Sequence, residues 1–282
     1  MYQPTKSRAR HARLAIIVLL TCLLLAGCGG SRSGTLYMLF DVSESSSELV
    51  REGYKDDAIL IGLSYCHSHR GSDVVLNVIT ANPEADSIFE TLRCPKGKND
   101  TDQRAQEIVF RAQLGTRVQD VIQIQAQTPG SDVIGAVSYA ASQTFRRFPT
   151  DDKYLVVFSD MQQSGGGVRN CIKTARYADV SRCLGAYYKH NPDVNRKAQL
   201  ESVSTYVIGF AKTIRGPLDS HERRNYDAFW QSYFDRQGAR LCWFAASNLP
   251  VLTNSDGSKT IDPKYFTTDC PPTWGSRSVV DE

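Results

Sequence analysis

The sequence lacks the short motifs that mark the commonest enzyme classes. It has no Gly-x-Ser-x-Gly turn, no glycine-rich phosphate loop ending in Lys-Ser or Lys-Thr, and no His-Glu-x-x-His pair. No two cysteines are separated by only two residues, which argues against a zinc site or a thioredoxin-like centre. We therefore expect a protein that is not an enzyme. The weakest alternative is a metal-dependent hydrolase using Asp41 and Asp160, because such enzymes usually hold more carboxylates and histidines.

Acidic residues are absent from the first 27 positions, which carry four basic residues and then an apolar run, "LAIIVLLTCLLLAG". A basic segment followed by an apolar run of this length predicts a secretory signal peptide over residues 1–27. The run ends in "LAGC", which resembles the bacterial lipobox, and this resemblance implies cleavage before Cys28 and acylation of that cysteine. Residues 28–34 then form a lipidated tether. Lipoproteins that stay in the inner membrane usually have aspartate directly after the acylated cysteine. This chain has Gly29 there, so the resemblance points to the outer membrane of the bacterial envelope, with the protein facing the periplasm or the surface.

A basic surface is also missing once the signal is removed. The whole chain carries a formal charge of +3, and its first 27 residues hold four basic residues and no acid, which leaves a mature charge of −1. Nucleic acid is therefore not an expected partner.

The cysteines of the mature chain are even in number after Cys28 is set aside, which in an oxidising compartment predicts three disulfides. The candidates are Cys66, Cys94, Cys171, Cys183, Cys242 and Cys270. Their pairing cannot be deduced from the sequence, although a small loop closed by Cys171 and Cys183 is our guess. In "YCHSHR", Cys66 stands beside His67 and His69. We interpret this as a helix end with two exposed histidines rather than a metal site.

Short apolar runs without polar alternation predict strands buried on both faces, and helical patterns follow them. The predicted strands are residues 35–40, 73–80, 153–160, 204–211 and 239–245. The predicted helices are residues 46–69, 101–114, 118–127, 131–145 and 222–238, with two short ones between 168 and 200. This alternation predicts an α/β fold, a mostly parallel central sheet with helices on both faces. Residues 35–246 form the domain, and residues 247–282 a turn-rich extension.

Oxygen-bearing side chains follow two of these strands. Asp41, Ser43 and Ser45 come after the first, Asp160 ends a later one, and Ser131 lies in a loop that opens a helix. The carboxyl ends of parallel strands meet at one sheet edge, and oxygen ligands suit a hard divalent ion. The alternative is that the loop after the first strand only caps the next helix, with Ser45 or Ser46 as the N-cap. An EF-hand is excluded because Ser46 stands where that loop needs glycine and a strand precedes it.

The chain resembles the von Willebrand factor type A family and its metal-ion-dependent adhesion site. The resemblance rests on "FDVSESS", on "GSD" opening a helix, and on "LVVFSDMQQSG", and it spans about residues 35–245. It implies that Asp41, Ser43, Ser45, Ser131 and Asp160 bind one Mg²⁺ or Mn²⁺ ion, to which an acidic group of a partner is added. Ser131 stands where the family usually has threonine, and the stretch 168–199 is longer than usual.

Two classes of function follow. The first is a membrane-anchored lipoprotein that captures an envelope or extracellular protein through the cation. The second is a scaffold component of an envelope, secretion or conjugation machine, in which the cation acts as a staple. An exposed coordination position favours the first, and a site covered by residues 168–199 favours the second.

Overall fold

The strands pair into one six-stranded sheet with the order β3-β2-β1-β4-β5-β6. In the computed structural model, residues 33–43, 48–124, 130–164, 167–192, 200–210, 219–245, 249–255, 257 and 259–262 are described. The strands are β1 (Gly34–Asp41), β2 (Asp73–Ile79), β3 (Glu90–Arg93), β4 (Asp152–Phe158), β5 (Val203–Ile208) and β6 (Arg240–Ala245). The predicted signal segment, Cys28, Ser45 and Cys270 lie outside the described residues.

All pairings in this sheet are parallel except that of β2 with β3. Every residue of β1 is buried, which explains why its sequence is apolar without alternation. The order 3-2-1-4-5-6 is that of a doubly wound sheet, and its five parallel strands point their carboxyl ends at one edge, whereas β3 runs the other way. The predicted α/β class is confirmed.

Helices cover both faces of the sheet. They are α1 (Glu48–Ser68), α2 (Asp100–Ile122), α3 (Val133–Tyr139), α4 (Phe145–Arg147), α5 (Val168–Thr174), α6 (Cys183–His190) and α7 (Ser220–Arg236). A π-helical turn, Ala140–Thr144, joins α3 to α4, and a 3₁₀ turn, Tyr177–Arg182, precedes α6. One apolar core contains α1 and α2, and the other contains α3 and α5 to α7. No helix in the described part of the chain has the length and apolarity needed to span a bilayer.

The two helices predicted over 101–114 and 118–127 are one continuous helix, α2. Gly115 does not end it, because the glycine lies where α2 approaches α1. A Cβ there would lie 3.3 Å from Cδ1 of Ile59, and a Cβ on Gly62 would lie 2.5 Å from Cδ2 of Leu114. These glycines allow close helix packing rather than marking a turn.

Two further elements differ from the prediction. The edge strand β3 is absent from the predicted strands, because its residues are at most partly buried and carry little apolar signal. The tail contains a two-stranded hairpin, β7 (Val251–Thr253) and β8 (Lys259–Ile261). The main-chain nitrogen of Ile261 donates to the hydroxyl of Ser64 at 3.0 Å, which fastens the hairpin to α1.

The prediction of two exposed histidines was wrong for one of them. His67 is exposed, but His69 is buried, with its ring stacked on Tyr65 at 4.5 Å between centroids. Its Nε2 lies 3.4 Å from Oδ2 of Asp152, at the start of β4. The end of α1 lies at the amino edge of the sheet, where the imidazole packs against aromatic rings and lies beside Asp152.

The structure contains the disulfides Cys66–Cys94 and Cys171–Cys183. The second confirms the small loop guessed from the sequence. Cys242 is disulfide-bonded too. The last candidate, Cys270, lies outside the described residues.

Candidate metal site at the carboxyl edge of the sheet

Two carboxylates lie buried where neighbouring central strands end. Asp41 is the last residue of β1, Asp160 follows β4, and Phe40 pairs with Phe158 across these strands. Both aspartates, together with Ser43 and Ser131, are no more than 2% exposed. The structure thus places four of the five predicted ligands at this edge, and Ser45 lies outside the described residues.

Asp41 is the centre of the hydrogen bonding. The hydroxyl of Ser131 lies 3.2 and 3.3 Å from its two carboxylate oxygens, although the residues are 90 positions apart. The hydroxyl of Ser159 donates to Oδ2 at 2.7 Å, and the main-chain nitrogen of Ser43 donates to Oδ1 at 3.0 Å. Burial raises the pKa of Asp41, and the bonds from the three serines lower it in part.

Ser159 was missed by sequence reasoning. Its signal was the polar residue directly before Asp160, at the end of an otherwise apolar strand in "LVVFSD". Its oxygen also accepts a hydrogen bond from the main-chain nitrogen of Met161 at 2.9 Å. It therefore links the loop after β4 to the carboxylate at the end of β1.

The hydroxyl of Ser131 is available to Asp41 because another residue caps the following helix. The N-cap of α3 is Asp132, whose Oδ1 accepts from the main-chain nitrogen of Gly135 at 2.9 Å. The main chain of Ser131 is held by Ser164, whose hydroxyl accepts from its nitrogen at 2.6 Å and donates to its carbonyl at 2.9 Å. Ser131 itself therefore does not cap α3, and the helix-cap alternative for Ser45 or Ser46 lies outside the described residues.

The loop that carries Asp160 is fixed in an unusual conformation. Met161 has φ of 61°, a left-handed conformation that is rare for residues other than glycine. The indole nitrogen of Trp230, on α7, donates to the carbonyl of Met161 at 2.9 Å, and the nitrogen of Gln162 donates to Oδ1 of Asp160 at 2.9 Å. The buried tryptophan thus holds the backbone next to the second carboxylate.

The residues present fit a hard divalent cation. They offer two carboxylates and several neutral hydroxyl oxygens, the donor set that Mg²⁺ and Mn²⁺ accept. No basic side chain of the described residues forms an ion pair with buried Asp41, so a cation would supply its missing countercharge. Within the described ranges, no three His, Cys, Asp or Glu side chains come together as a metal-binding group. An ion at this edge would rely on the two acids, the hydroxyls and water.

No protein-family model matches the sequence, and no curated protein matches it either. Similar solved structures include an aerotolerance-related membrane protein from Bacteroides fragilis NCTC 9343, with 12% identity, 73% of this chain and 89% of that chain covered, and a TM-score of 0.34. A von Willebrand factor type A structure from Catenulispora acidiphila is 13% identical, with 71% of this chain and 37% of that chain covered and a TM-score of 0.34. The manganese-loaded TRAP protein of Plasmodium vivax is 12% identical, with 70% of this chain and 63% of that chain covered and a TM-score of 0.33. These TM-scores are all below 0.5. The α/β class and the strand order therefore rest on the sheet of this chain itself, and the resemblance to von Willebrand factor type A domains remains a prediction from the sequence.

Proposed function

We propose that this chain is a lipid-anchored envelope protein whose α/β domain captures a protein partner through one Mg²⁺ or Mn²⁺ ion. The ligands are Asp41, Ser43, Ser45, Ser131 and Asp160. The observation that supports this best is the contact of the Ser131 hydroxyl with Asp41 at 3.2 Å, because it joins two separate loops in a buried oxygen cluster. Such a cluster has little reason to form for stability alone, since burying Asp41 disfavours its charge.

The ligand types favour capture over tight storage of the ion. Two carboxylates balance the charge of a divalent cation, and the serine hydroxyls add no further negative charge. The bound ion keeps the ability to attract an outside anion, and a carboxylate from the partner protein suits it as a hard oxygen ligand. We therefore propose an envelope or extracellular protein with an exposed acidic side chain as the partner, and no catalytic role.

A second candidate function is a scaffold in which the cation is a staple. The burial of Asp41, Ser43, Ser131 and Asp160 favours it, because a partner reaches such an ion only if the edge opens. The segment 168–190 also reaches the loop of Ser131, since the hydroxyl of Tyr187 donates to Asp132. The two candidates share the cation and differ in whether a partner depends on it.

Calorimetric titration of Mg²⁺ and Mn²⁺ into the full chain, purified in detergent, tests the shared step. Wild type should release or absorb heat and melt at a higher temperature with metal. Asp41→Asn, which keeps the side-chain shape, should lose both effects, and Asp160→Asn should weaken them. Asp151→Asn, an exposed acid at the opposite edge of the sheet, is the matched control. No heat and no melting shift for wild type at millimolar metal would reject the cation.

Pull-down from envelope extracts then separates the candidates. Capture predicts a partner that is retained with Mg²⁺, lost with EDTA and lost with Asp41→Asn. A staple predicts the same partner set for wild type and Asp41→Asn at a temperature where both are folded.

A further inference from the structure

The hydroxyl of Tyr54 is a buried polar group without a hydrogen-bond partner among the described residues. Tyr54 lies on α1 and is only 3% exposed. A buried hydroxyl that has left water without a new partner is costly, and natural structures rarely keep one without a reason. The position of this oxygen therefore needs an explanation.

The hydroxyl lies at the same edge of the sheet as the candidate cation site. The ring of Tyr54 packs on Phe158, the last residue of β4, at 5.3 Å between centroids. Its oxygen reaches the residue that follows β5, because a Cβ on Gly209 would lie 2.6 Å from it. Gly209 has φ of 93°, so this backbone passes close to the phenol in a conformation suited to glycine.

The same two carboxylates act on this phenol. Burial first, and then the negative charges of Asp41 and Asp160, raise the pKa of Tyr54 well above its usual value. A phenol is protonated at neutral pH and can both donate and accept a hydrogen bond. Tyr226 is also buried and unpaired among the described residues. Burial raises its pKa to about 12, with Arg169 lowering it in part, and only Asp160 of the two carboxylates acts on it. Tyr54 is the phenol that both carboxylates share.

We propose that Tyr54 is an additional residue of the cation site, whose hydroxyl hydrogen-bonds a water molecule held by the ion. This inference rests on the proposed function. Ions such as Mg²⁺ keep several waters when bound to proteins, and those waters need outer partners. A phenol that is free at this edge offers one, and groups of this kind orient the ligands and tune affinity for the metal.

Tyr54→Phe tests the role of the hydroxyl, because it removes one oxygen and keeps the ring on Phe158. The dissociation constant for Mn²⁺ of the full chain in detergent, measured by calorimetry, should rise about tenfold. The melting temperature without metal should be unchanged or higher, since an unpaired buried group has been removed. Tyr65→Phe is the matched control, because Tyr65 is a buried tyrosine about three turns further along the same helix, beside Gly34 at the opposite edge. It should bind Mn²⁺ as wild type does.

Gly209→Ala is the second variant, because the added methyl group displaces the hydroxyl, and it should also weaken Mn²⁺ binding. A folded Tyr54→Phe protein that binds Mn²⁺ within twofold of wild type would overturn the inference and leave the cation site standing. If Tyr54→Phe does not fold, wild-type affinity in Gly209→Ala would overturn it. Absence of Mn²⁺ binding in wild type would reject the cation site and this role together.

Discussion

The hydroxyl of Tyr187 lies 2.9 and 3.0 Å from the two carboxylate oxygens of Asp132. Tyr187 belongs to α6, in the disulfide-bearing stretch, whereas Asp132 caps α3 directly after Ser131. Gln163, in the loop after Asp160, donates to the same carboxylate at 2.8 Å. Burial raises the pKa of Asp132, and these hydrogen bonds lower it in part. One partly buried acid therefore ties together two loops of the candidate site and the stretch 168–190.

Tyr187→Phe should lower the free energy of unfolding by about 2 kcal/mol, because a hydrogen bond to a charged group is lost inside the protein. It should also weaken Mn²⁺ binding, since the loop of Ser131 loses one anchor. Tyr188→Phe is the control, because the hydroxyl of Tyr188 accepts a hydrogen bond from the side-chain nitrogen of Gln237, the residue that follows α7, at 3.3 Å. Denaturant titration and calorimetry give both quantities. Equal Mn²⁺ affinity in the two variants would show that Tyr187 does not support the site.

Replacing Cys171 and Cys183 by serine should lower the free energy of unfolding by about 3 kcal/mol, because the unfolded chain is released from a small closed loop. Hydrogen exchange at the amides of Ile134 and Gly135 should also speed up, since α6 carries Tyr187. Replacing Cys66 and Cys94 by serine is the control: that disulfide borders the opposite core. It should destabilise the protein without this local change. Unchanged hydrogen exchange at α3 in the variant without the Cys171–Cys183 disulfide would show that this disulfide does not stabilise the loop of the candidate site.

The fold was accessible from the sequence because its central strands are short apolar runs. Such runs appear in β1 and β4. The helix α1 was predicted over residues 46–69 from the helical spacing of its apolar residues. The edge strand β3 and the hairpin escaped prediction, because partly exposed strands carry little hydrophobic signal. Gly115 misled the reading of α2, since a glycine that lets helices pack closely looks the same in sequence as one that ends a helix.

The site was predictable only as far as its residues stand in recognisable short motifs. Asp41, Ser43, Ser131 and Asp160 do so, and the structure places them at one edge. Ser159 and Asp132 stand in the same motifs, and Tyr54 does not, but none of the three was assigned a role, because their roles depend on contacts between segments far apart in the chain. His69 shows the same limit, since no residue near it in the sequence predicts its contact with Asp152.

Cys28→Ser should abolish acyl labelling and leave an unprocessed or mislocalised precursor. The reason is that the thiol is the group that the predicted lipid modification needs, and the hydroxyl of serine does not replace it. Metabolic labelling with a fatty acid, followed by membrane fractionation, measures both effects. Normal processing and membrane retention of this variant would reject the lipoprotein prediction.

Asp227→Asn should stabilise the protein more at pH 7 than at pH 4. Burial raises the pKa of Asp227 to about 6, partly offset by the charge of Arg223. The folded state therefore retains a proton that the unfolded state releases near pH 4, so the stability from this group is full below about pH 4 and is lost as the pH rises through about 6. Melting temperatures across this range test it, with Asp235→Asn at an exposed position of the same helix as control. A difference in melting temperature between Asp227→Asn and wild type that does not change with pH would contradict the raised pKa of Asp227.

Gly209→Ala and Gly167→Ala form a pair that separates backbone strain from steric conflict. Both glycines have positive φ, 93° and 72°, but a Cβ on Gly167 would meet nothing within 4 Å, whereas one on Gly209 would lie 2.6 Å from the Tyr54 hydroxyl. Gly167→Ala should cost about 1 kcal/mol of unfolding free energy from the backbone alone. Gly209→Ala should cost roughly 1–3 kcal/mol more, because the well-packed phenol must move.

Adding Tyr54→Phe to Gly209→Ala should recover part of that extra cost, since the oxygen in conflict is gone while ring atoms remain 3.2 and 3.3 Å from the Cβ position. A coupling of about 0.5–3 kcal/mol in the double-mutant cycle is expected for groups in direct contact. Tyr54→Phe with Gly167→Ala should be additive. Additivity in both cycles would mean that the hydroxyl of Tyr54 does not lie against Gly209, and would remove the geometric basis for placing it at the cation site.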